Sequence, residues 1–283
     1  DDFIVKPYDP AELRARIGVG QRLVRLQSEL IELNQDLESR VRDRTAEVER
    51  LLKYQQDLIF RLGHDFRTPL TPLLSLLPLA LNTESDPAKR EMLRLALDGA
   101  QTIHTVIARV LDLCKLQIPN RPIERQRRNL RELVDDVLMQ CSARCDVGRR
   151  TLINKVPEAL GVLVNNTLMQ QALDHVIGNA IKFTGAVGQI RVQTQVQNGS
   201  VTLAVVDDGA GLEPQHLDHI FEPFYKTDPS RHLLGSPGLG LTIARTIVEQ
   251  HGGRMWAESV GLERGTAVYL TLPRGTAGEE VTP

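Results

Sequence analysis

Four short segments typical of phosphate and nucleotide sites follow one another in a fixed order between residues 170 and 273. Their letters are Q-A-L-D-H-V-I-G-N-A-I-K-F-T, D-D-G-A-G, F-E-P-F-Y-K and G-S-P-G-L-G-L. Each segment alone constrains little, because short glycine motifs occur by chance. Their order, together with an upstream G-H-D-F-R-T-P-L segment, predicts an enzyme that binds ATP beside a phosphate-accepting histidine.

The composition is that of ordinary globular domains. The chain has 283 residues, 41% hydrophobic and 25% charged, which is enough for two or more modest domains. The net charge of -2 and the absence of a dense basic face argue against a nucleic-acid partner. A short arginine cluster is better explained as a solvated linker: Arg125, Arg127, Arg128 and Arg131. No apolar run approaches the roughly 20 residues that cross a bilayer, so no membrane span is expected.

The cysteines predict a cytoplasmic protein. Cys114, Cys141 and Cys145 lack the C-x-x-C spacing of many metal sites. An odd number of cysteines suits a reducing cytosol better than a disulfide framework.

The first residues predict the end of one domain, over residues 1–19. Asp1 to Leu13 contains an apolar strand end, a Lys-Pro step and a helix that starts near Asp9 with Pro10 in its first turn. This stretch resembles the last strand and helix of a response-regulator receiver domain, in which Lys6 would contact the phosphorylated aspartate. A generic strand-to-helix junction is the alternative.

A coiled coil is predicted over residues 20–57. Leucines recur at alternating steps of three and four, which is the seam of a dimeric coiled coil: Leu23, Leu26, Leu30, Leu33 and Leu37. A four-residue stutter follows at Val41, and polar Arg44 and Gln55 weaken the second half of the seam. This helix is either a spacer or a rod whose rotation or register carries a signal.

Residues 58–118 predict a helical hairpin that carries a reactive histidine. His64 and Thr68 are four residues apart and share one helix face, and Asp65 is placed to hold the Nδ1–H of His64 and leave Nε2 as a nucleophile. A lone helical histidine is usually structural. Here prolines follow it and are expected to bend or locally unwind the helix: Pro69, Pro72 and Pro78. The turn runs from Asn82 to Pro87, with Thr83 or Ser85 as the cap of the second helix.

The segment His64 to Leu70 resembles the H box of sensor histidine kinases. The resemblance implies that the hairpin is the dimerisation and histidine-phosphotransfer module, which forms a four-helix bundle in a homodimer. It also implies that Asp65 assists phosphorylation, and that Thr68 positions the water that dephosphorylates a partner regulator.

After a linker at 119–129, residues 130–275 alternate helical and strand patterns, and 276–283 form a tail. Helices are predicted at 130–144, 166–183 and 238–251, and strands at 189–195, 201–206, 254–258 and 267–272. This alternation predicts a two-layer α/β sandwich. It resembles the ATP-binding domain shared by histidine kinases, some chaperones, gyrase-type ATPases and MutL-like repair proteins. The expected fold is therefore multi-domain, α and α+β, with a dimeric coiled coil and helical hairpin before this domain.

Candidate nucleotide ligands lie on the first two segments. Asn179 offers an amide oxygen suited to Mg²⁺, and Lys182, about one helical turn later, can neutralise phosphate charge. His175 stands where the resembled family usually has a second asparagine, and imidazole is a poorer Mg²⁺ ligand. The Asp207 carboxylate can accept a hydrogen bond from the adenine amino group, while Gly209 and Gly211 let the backbone approach the base.

The remaining two segments predict a lid and a phosphate cradle. Phe221, Phe224 and Tyr225 resemble the F box that anchors a lid at 228–235, or they form an aromatic core patch. The resemblance implies that Lys226 faces the γ-phosphate. The glycine-rich turn and the helix after it are expected to hold the polyphosphate through backbone N–H groups: Gly235, Gly238, Leu239 and Gly240.

Four residues near this cradle either depart from the family pattern or complete it. Pro237 replaces a small hydroxyl residue of the family pattern. Gly265-Thr266 resembles the final glycine box, and Glu263 replaces an earlier glycine of that box.

The resemblance implies a two-component sensor histidine kinase that phosphorylates His64 from ATP and Mg²⁺ and passes the phosphoryl group to a response-regulator receiver domain. His175 and Pro237 leave open a degenerate kinase that acts as a scaffold or as a phosphatase only. An ATP-driven clamp of the chaperone or gyrase kind is the second alternative, but it has no need for His64.

Overall fold

The computed structural model describes residues 10–118, 123–144, 150–197, 199–227 and 238–274. The chain divides into two compact units, Asp1–Phe60 and Arg61–Pro283. Residues 1–9, with Lys6 of the expected receiver-like end, lie outside the described ranges. Within those ranges, no helix combines the length and the apolar character that a membrane crossing requires.

The first helix, α1, runs without interruption over Pro10–Thr83. Its predicted seam leucines are all more than half exposed, from 55% at Leu26 to 67% at Leu30. The helix continues through Pro69, Pro72 and Pro78, so the helix is not unwound there, and the expected bend stays a prediction. A helical proline removes the hydrogen bond to the carbonyl group four residues earlier. For the first two prolines those residues are exposed, so water can satisfy the carbonyl groups and the helix survives.

The second helix, α2, runs over Pro87–Leu116, and its N-cap is Asp86. The Asp86 carboxylate accepts a hydrogen bond from the N–H of Ala88 at 2.9 Å. The expected caps were wrong: Thr83 still belongs to α1, and Ser85 lies one residue too early. The physical reason is Pro87, which favours the first turn of a helix and keeps the residue before it out of helical conformation.

Over its described residues, the α/β domain contains three helices, named α3, α4 and α5, and seven strands in two sheets. The helices cover Leu130–Arg144, Asn166–Phe183 and Gly240–Gln250. The strands, β1 to β7 in chain order, are Gln126–Asn129, Thr151–Asn154, Gly161–Val164, Gln189–Gln197, Ser200–Asp207, Met255–Glu258 and Thr266–Pro273. Short 3-10 turns lie at Pro214–His216 and His219–Phe221.

The main sheet has the order β2-β4-β5-β7-β6, and β1 and β3 form a separate antiparallel pair. Among the described strands of the main sheet, the β2–β4 pair is parallel and the other pairs are antiparallel. Alternate side chains of β4, β5 and β7 are buried in one core with the helices, for example Ile190, Leu203 and Leu270, each 0% exposed. The two-layer α/β fold is therefore confirmed.

The predicted helices and four predicted strands are confirmed to within about two residues, but β1, β2 and β3 were missed. Each missed strand has only 4 residues. Strand β1 reads Gln-Arg-Arg-Asn and has no apolar residue to alternate with the polar ones. Its backbone pairing with β3, in the register Gln126 opposite Val164, makes it a strand.

The end of α2 belongs to the same core as the α/β domain. Leu113 and Leu116 are 8% exposed and lie in that core cluster. The Gln250 amide at the end of α5 donates to the Leu116 carbonyl, and Arg125 donates to the Gln250 carbonyl at 2.8 Å. Non-local polar contacts therefore hold the hairpin end against α5.

Candidate active site

His64 lies on the exposed face of α1. Its side chain is 80% exposed, and its Nδ1 lies 3.5 Å from Oδ1 of Asp65, at the outer limit of a hydrogen bond. The Thr68 hydroxyl donates to the His64 carbonyl at 3.2 Å. The three predicted catalytic residues therefore lie together at the surface, within reach of a second protein or domain.

A close helix contact lies directly behind His64. Gly63 is buried, and a Cβ built on it would lie 2.6 Å from the Leu111 side chain of α2. Leu70, on the same helix face, is 7% exposed. The small glycine lets α1 approach α2 here, and the next residue, His64, consequently points away from the hairpin interior.

The second half of the site is built around Asp207, the last residue of β5. In the antiparallel β5–β7 pair, Asp207 stands opposite Thr266. Oδ1 of Asp207 accepts hydrogen bonds from the backbone N–H of Gly209 at 2.9 Å and of Thr266 at 3.2 Å. Among the described residues, Oδ2 has no hydrogen-bond partner. It is therefore available to accept from an exocyclic amino group of a nucleotide base.

Burial raises the pKa of Asp207 above its ordinary value. The two backbone hydrogen bonds oppose this effect, and the neighbouring charge of Asp208 adds to it. A carboxylate in such a position pairs favourably with a neutral donor that is itself desolvated.

Two glycines allow the loops around Asp207 to pack. Gly211 has a φ of 67° and Gly265 a φ of 73°, both in the left-handed region. A Cβ on Gly211 would collide with the carbonyl of Gly261, and one on Gly265 with the carbonyl of Asp207. Because backbone atoms cannot yield like a flexible side chain, both positions require glycine.

The N-terminus of α5 forms the predicted phosphate end. Leu239 is the N-cap residue, 0% exposed, and makes no side-chain capping hydrogen bond. Gly240 begins the helix, and a Cβ on it would lie 3.5 Å from Nδ1 of His175 on α4. His175 therefore borders the helix end that is expected to bind phosphate. Gly235 and Pro237 lie outside the described residues.

The described segments before and after the predicted lid are joined by a hydrogen bond. The N–H of Phe224 donates to the carbonyl of Gly238 at 3.0 Å, and both residues have positive φ, 65° and 71°. Phe224 is 58% exposed, whereas Phe221 is 5% exposed and belongs to the core. The core-patch alternative therefore holds for Phe221 and not for Phe224. Lys226, two residues before the predicted lid, is exposed. Residues 228–237 lie outside the described ranges.

Tyr225 is held by two histidines of the 3-10 turns. Its hydroxyl lies 2.6 Å from Nδ1 of His216, and its ring lies 5.5 Å from the His219 ring. The His219 Nδ1 in turn lies 2.8 Å from Oε1 of Glu222. No sequence pattern had marked these histidines.

Asn179 and Lys182 lie on α4, as predicted. Asn179 is half-buried, one helical turn after His175, and Lys182 is exposed with its Nζ 5.1 Å from the centre of the Phe183 ring. Among the described residues, no group of three His, Cys, Asp or Glu side chains is placed to hold a metal. An amide oxygen alone fits a Mg²⁺ ion that arrives with a triphosphate rather than one held by the protein.

The described groups fit ATP. Asp207 has an open carboxylate oxygen that suits the adenine amino group, the α5 N-terminus has no side-chain cap, and Lys182 and Lys226 are exposed. Sequence patterns missed Ser259, whose hydroxyl bridges the loops on both sides of the Asp207 site. Its only signal is its place at the start of the glycine-bearing stretch that ends at Thr266.

Two family models match this chain. Residues 54–118 match the His Kinase A (phospho-acceptor) domain, and residues 164–276 match the Histidine kinase-, DNA gyrase B-, and HSP90-like ATPase. These residues are therefore similar to the two domains of a histidine kinase core. The first match contains His64, and the second contains Asp207 and the α5 N-terminus. The phospho-acceptor match favours a histidine kinase over a gyrase-like or chaperone-like ATPase.

Similar proteins include the sensor histidine kinase CpxA of Escherichia coli K12. This chain is 30% identical to it over 228 residues, which are 80% of this chain and 48% of CpxA. The chain thus spans about half the length of this relative.

Two solved structures share the fold of this chain. ShkA in complex with AMPPNP has a TM-score of 0.66 at 24% identity, covering 80% of this chain and 47% of ShkA. Histidine kinase ThkA in complex with response regulator protein TrrA has a TM-score of 0.56 at 23% identity, covering 77% of this chain and 61% of the matched chain.

Proposed function

We propose that this chain is the catalytic core of a two-component sensor kinase that transfers the γ-phosphoryl group of ATP to His64. The observation that carries the proposal is the pairing of an exposed histidine in a phospho-acceptor domain with a nucleotide-type carboxylate site in an ATPase domain. The product is a phosphoprotein that bears phosphohistidine.

The chemistry at His64 requires a neutral imidazole. Nε2 attacks the γ-phosphorus, and the bond between that phosphorus and the bridging oxygen of ADP breaks. The proton stays on Nδ1, where Asp65 orients the ring and stabilises the positive charge that develops on it. Positioning and charge neutralisation supply most of the rate, because phosphoryl transfer needs little covalent help from the protein.

Asn179 is the residue that we assign to Mg²⁺, which supplies neutralisation of the charge on the phosphates. Lys182 and Lys226 add positive charge from α4 and from the lid anchor. Backbone N–H groups at Gly238, Leu239 and Gly240 hold the phosphates at the helix N-terminus. Gly209 and Gly211 bring backbone close to the base, and Thr266 orients Asp207.

The phosphoryl group is then passed to an aspartate of a response-regulator receiver domain, as part of a phosphorelay. The ThkA complex with TrrA supports a partner of this class. We assign to Thr68 the positioning of water when the core acts as a phosphatase of that regulator. The exposed leucines of α1 and of the hairpin support a homodimer, and the use of ATP favours the cytoplasm.

The domain boundaries 1–19, 20–57, 58–118, 119–129, 130–275 and 276–283 remain predictions, and so does the receiver-like origin of the first of them. His175 lies next to the N-terminus of α5, where the phosphates are expected. It stands where the resembled family usually has an asparagine, and imidazole is a poorer Mg²⁺ ligand than an amide oxygen. This position favours a second candidate function, a scaffold or phosphatase with weak kinase activity.

The test is incubation of the purified protein with γ-labelled ATP and Mg²⁺. We expect acid-labile, alkali-stable label that disappears in His64→Gln and persists in His104→Gln, an exposed histidine on α2. Label that persists in His64→Gln would contradict the assigned acceptor. ATP binding without any label would instead favour the scaffold or phosphatase function.

A further inference from the structure

Two loops meet at Asp207, the base loop (residues 207–212) and the glycine loop (residues 259–266). The N–H of Gly265 donates to the Gly209 carbonyl at 3.1 Å, and the N–H of Glu263 donates to the Ala210 carbonyl at 2.7 Å. These backbone bonds fasten the loops along their length, but none of them reaches the far end of the base loop, at Leu212.

The Ser259 hydroxyl bridges the loops at that end. It accepts a hydrogen bond from the N–H of Leu212 at 3.0 Å and donates one to the Gly265 carbonyl at 2.7 Å. Ser259 is half-buried, so these bonds are partly shielded from water. The two bonds together require a hydroxyl, because a short side chain must both accept and donate a hydrogen bond through one atom here.

The bond to Gly265 acts on Asp207 through a single peptide unit. The Gly265 carbonyl and the Thr266 N–H belong to the same planar peptide group and point in opposite directions. Ser259 holds the carbonyl end, and the N–H end donates to Oδ1 of Asp207 at 3.2 Å. Fixing one end therefore fixes the other, and with it the rotamer that keeps Oδ2 of Asp207 open.

We propose that Ser259 is a positioning residue for adenine recognition, which acts through the Gly265–Thr266 peptide on the Asp207 carboxylate. This inference rests on the proposed function, since it assigns a further residue to the same ATP site. It predicts selectivity for adenine over guanine bases, because adenine presents an amino group where guanine presents a carbonyl oxygen, which would face the carboxylate.

The experiment is equilibrium binding of ATP and of GTP to the whole chain by calorimetry. We expect Ser259→Ala to raise the dissociation constant for ATP roughly tenfold, which is the effect expected from losing the hydrogen bonds of the hydroxyl to Leu212 and Gly265. The dissociation constant for GTP should change little. The preference for ATP over GTP then falls. Ser259→Thr, which keeps the hydroxyl, should retain the preference, and Ser142→Ala, which removes a hydroxyl bonded only within α3, should change neither affinity.

A double-mutant cycle separates positioning from general support. If Ser259 acts through Asp207, Ser259→Ala should cause no further loss of ATP affinity in an Asp207→Asn background. Additive losses, or equal losses for ATP and GTP, would overturn the inference in favour of a structural role. If Ser259→Ala does not fold, Ser259→Cys provides the same comparison with side-chain volume nearly kept.

The two proposals fail in different ways. A wild-type chain that binds no ATP overturns the proposed function. A wild-type chain that binds ATP and keeps its preference in Ser259→Ala overturns only the role of Ser259.

Discussion

Asp207 is placed for binding at a cost to the stability of the ligand-free protein. Burial raises its pKa, which means that the folded protein holds its proton more tightly than the unfolded chain does. As pH rises through the ordinary pKa towards the raised one, stability is therefore lost, and at neutral pH the buried charge opposes folding. A neutral isostere removes this opposition.

We accordingly expect Asp207→Asn to weaken ATP binding at least about tenfold, because a charge-assisted hydrogen bond to the base is lost. The thermal midpoint of the ligand-free protein should stay the same or rise at pH 7. Calorimetric titration and thermal unfolding measure the two effects. A variant that binds ATP like the wild type would remove Asp207 from the base site.

His251, at the end of α5, is a buried group whose pKa is lowered, so it favours folding at neutral pH rather than opposing it. It is 0% exposed, its Nδ1 lies 2.7 Å from the Ile247 carbonyl, and its Nε2 accepts from the N–H of Asn165 at 3.0 Å. Burial lowers the pKa of His251, the hydrogen bond to Ile247 opposes this, and the charge of Arg125 lowers it further. A protonated ring could not accept from Asn165, so the fold requires the neutral form.

The sign of the pH dependence follows. The unfolded chain binds a proton near the ordinary pKa of 6.5 and the folded chain does not, so the stabilisation is complete above that pKa and is lost as pH falls below it. We expect His251→Gln to flatten the fall in stability below pH 6.5 relative to the wild type. His104→Gln, at an exposed site, should leave the slope unchanged. Denaturant unfolding at several pH values between about 5 and 7 gives both slopes.

At the scale of elements, two helical glycines have opposite surroundings. Gly63 on α1 has the Leu111 side chain 2.6 Å from where a Cβ would be, whereas Gly99 on α2 has open space. An alanine improves helix propensity by up to about 1 kcal/mol at both positions. At Gly63 it also overfills a close helix contact, which typically costs about 1–3 kcal/mol.

Gly99→Ala should therefore stabilise the protein by roughly 0.5–1 kcal/mol, and Gly63→Ala should destabilise it by about 1 kcal/mol. Chemical denaturation of both variants measures the difference in the free energy of unfolding. Equal stabilisation by both would show that Leu111 moves aside freely and that Gly63 is not needed for the approach of α1 to α2.

At the scale of the whole molecule, the exposed leucine seam of α1 needs a partner. Leu23, Leu26, Leu30, Leu33 and Leu37 are 55% to 67% exposed, and a buried leucine contributes about 1.5–3 kcal/mol. We expect Leu30→Asp to shift the protein from dimer to monomer by at least about tenfold in dissociation constant, as measured by sedimentation equilibrium. Ser28→Asp lies off the seam and should leave the dimer intact. A wild-type monomer would contradict the proposed homodimer.

Most elements of the fold could be predicted from the sequence because their signals are local. The periodicity of α4 and α5 and the apolar alternation of β5 and β7 identified these elements to within about two residues. The expected caps of α2, Thr83 and Ser85, lie three residues and one residue too early, because Pro87 keeps Asp86 out of helical conformation and so makes it the N-cap. Strand β1 has no local signal, and its pairing with β3 alone defines it.

The sequence by itself determined the groups on which the proposed chemistry rests: His64 with Asp65 and Thr68 beside it, and a carboxylate at Asp207 followed by glycines. These are properties of neighbouring residues, which a short segment already specifies. Only the tertiary structure decided what surrounds Asp207. Thr266 is 59 residues away in the chain, and Ser259 is 47 residues from Leu212. They reach the site because the β5–β7 register places Asp207 opposite Thr266, and register follows from burial of a whole sheet face rather than from any one segment.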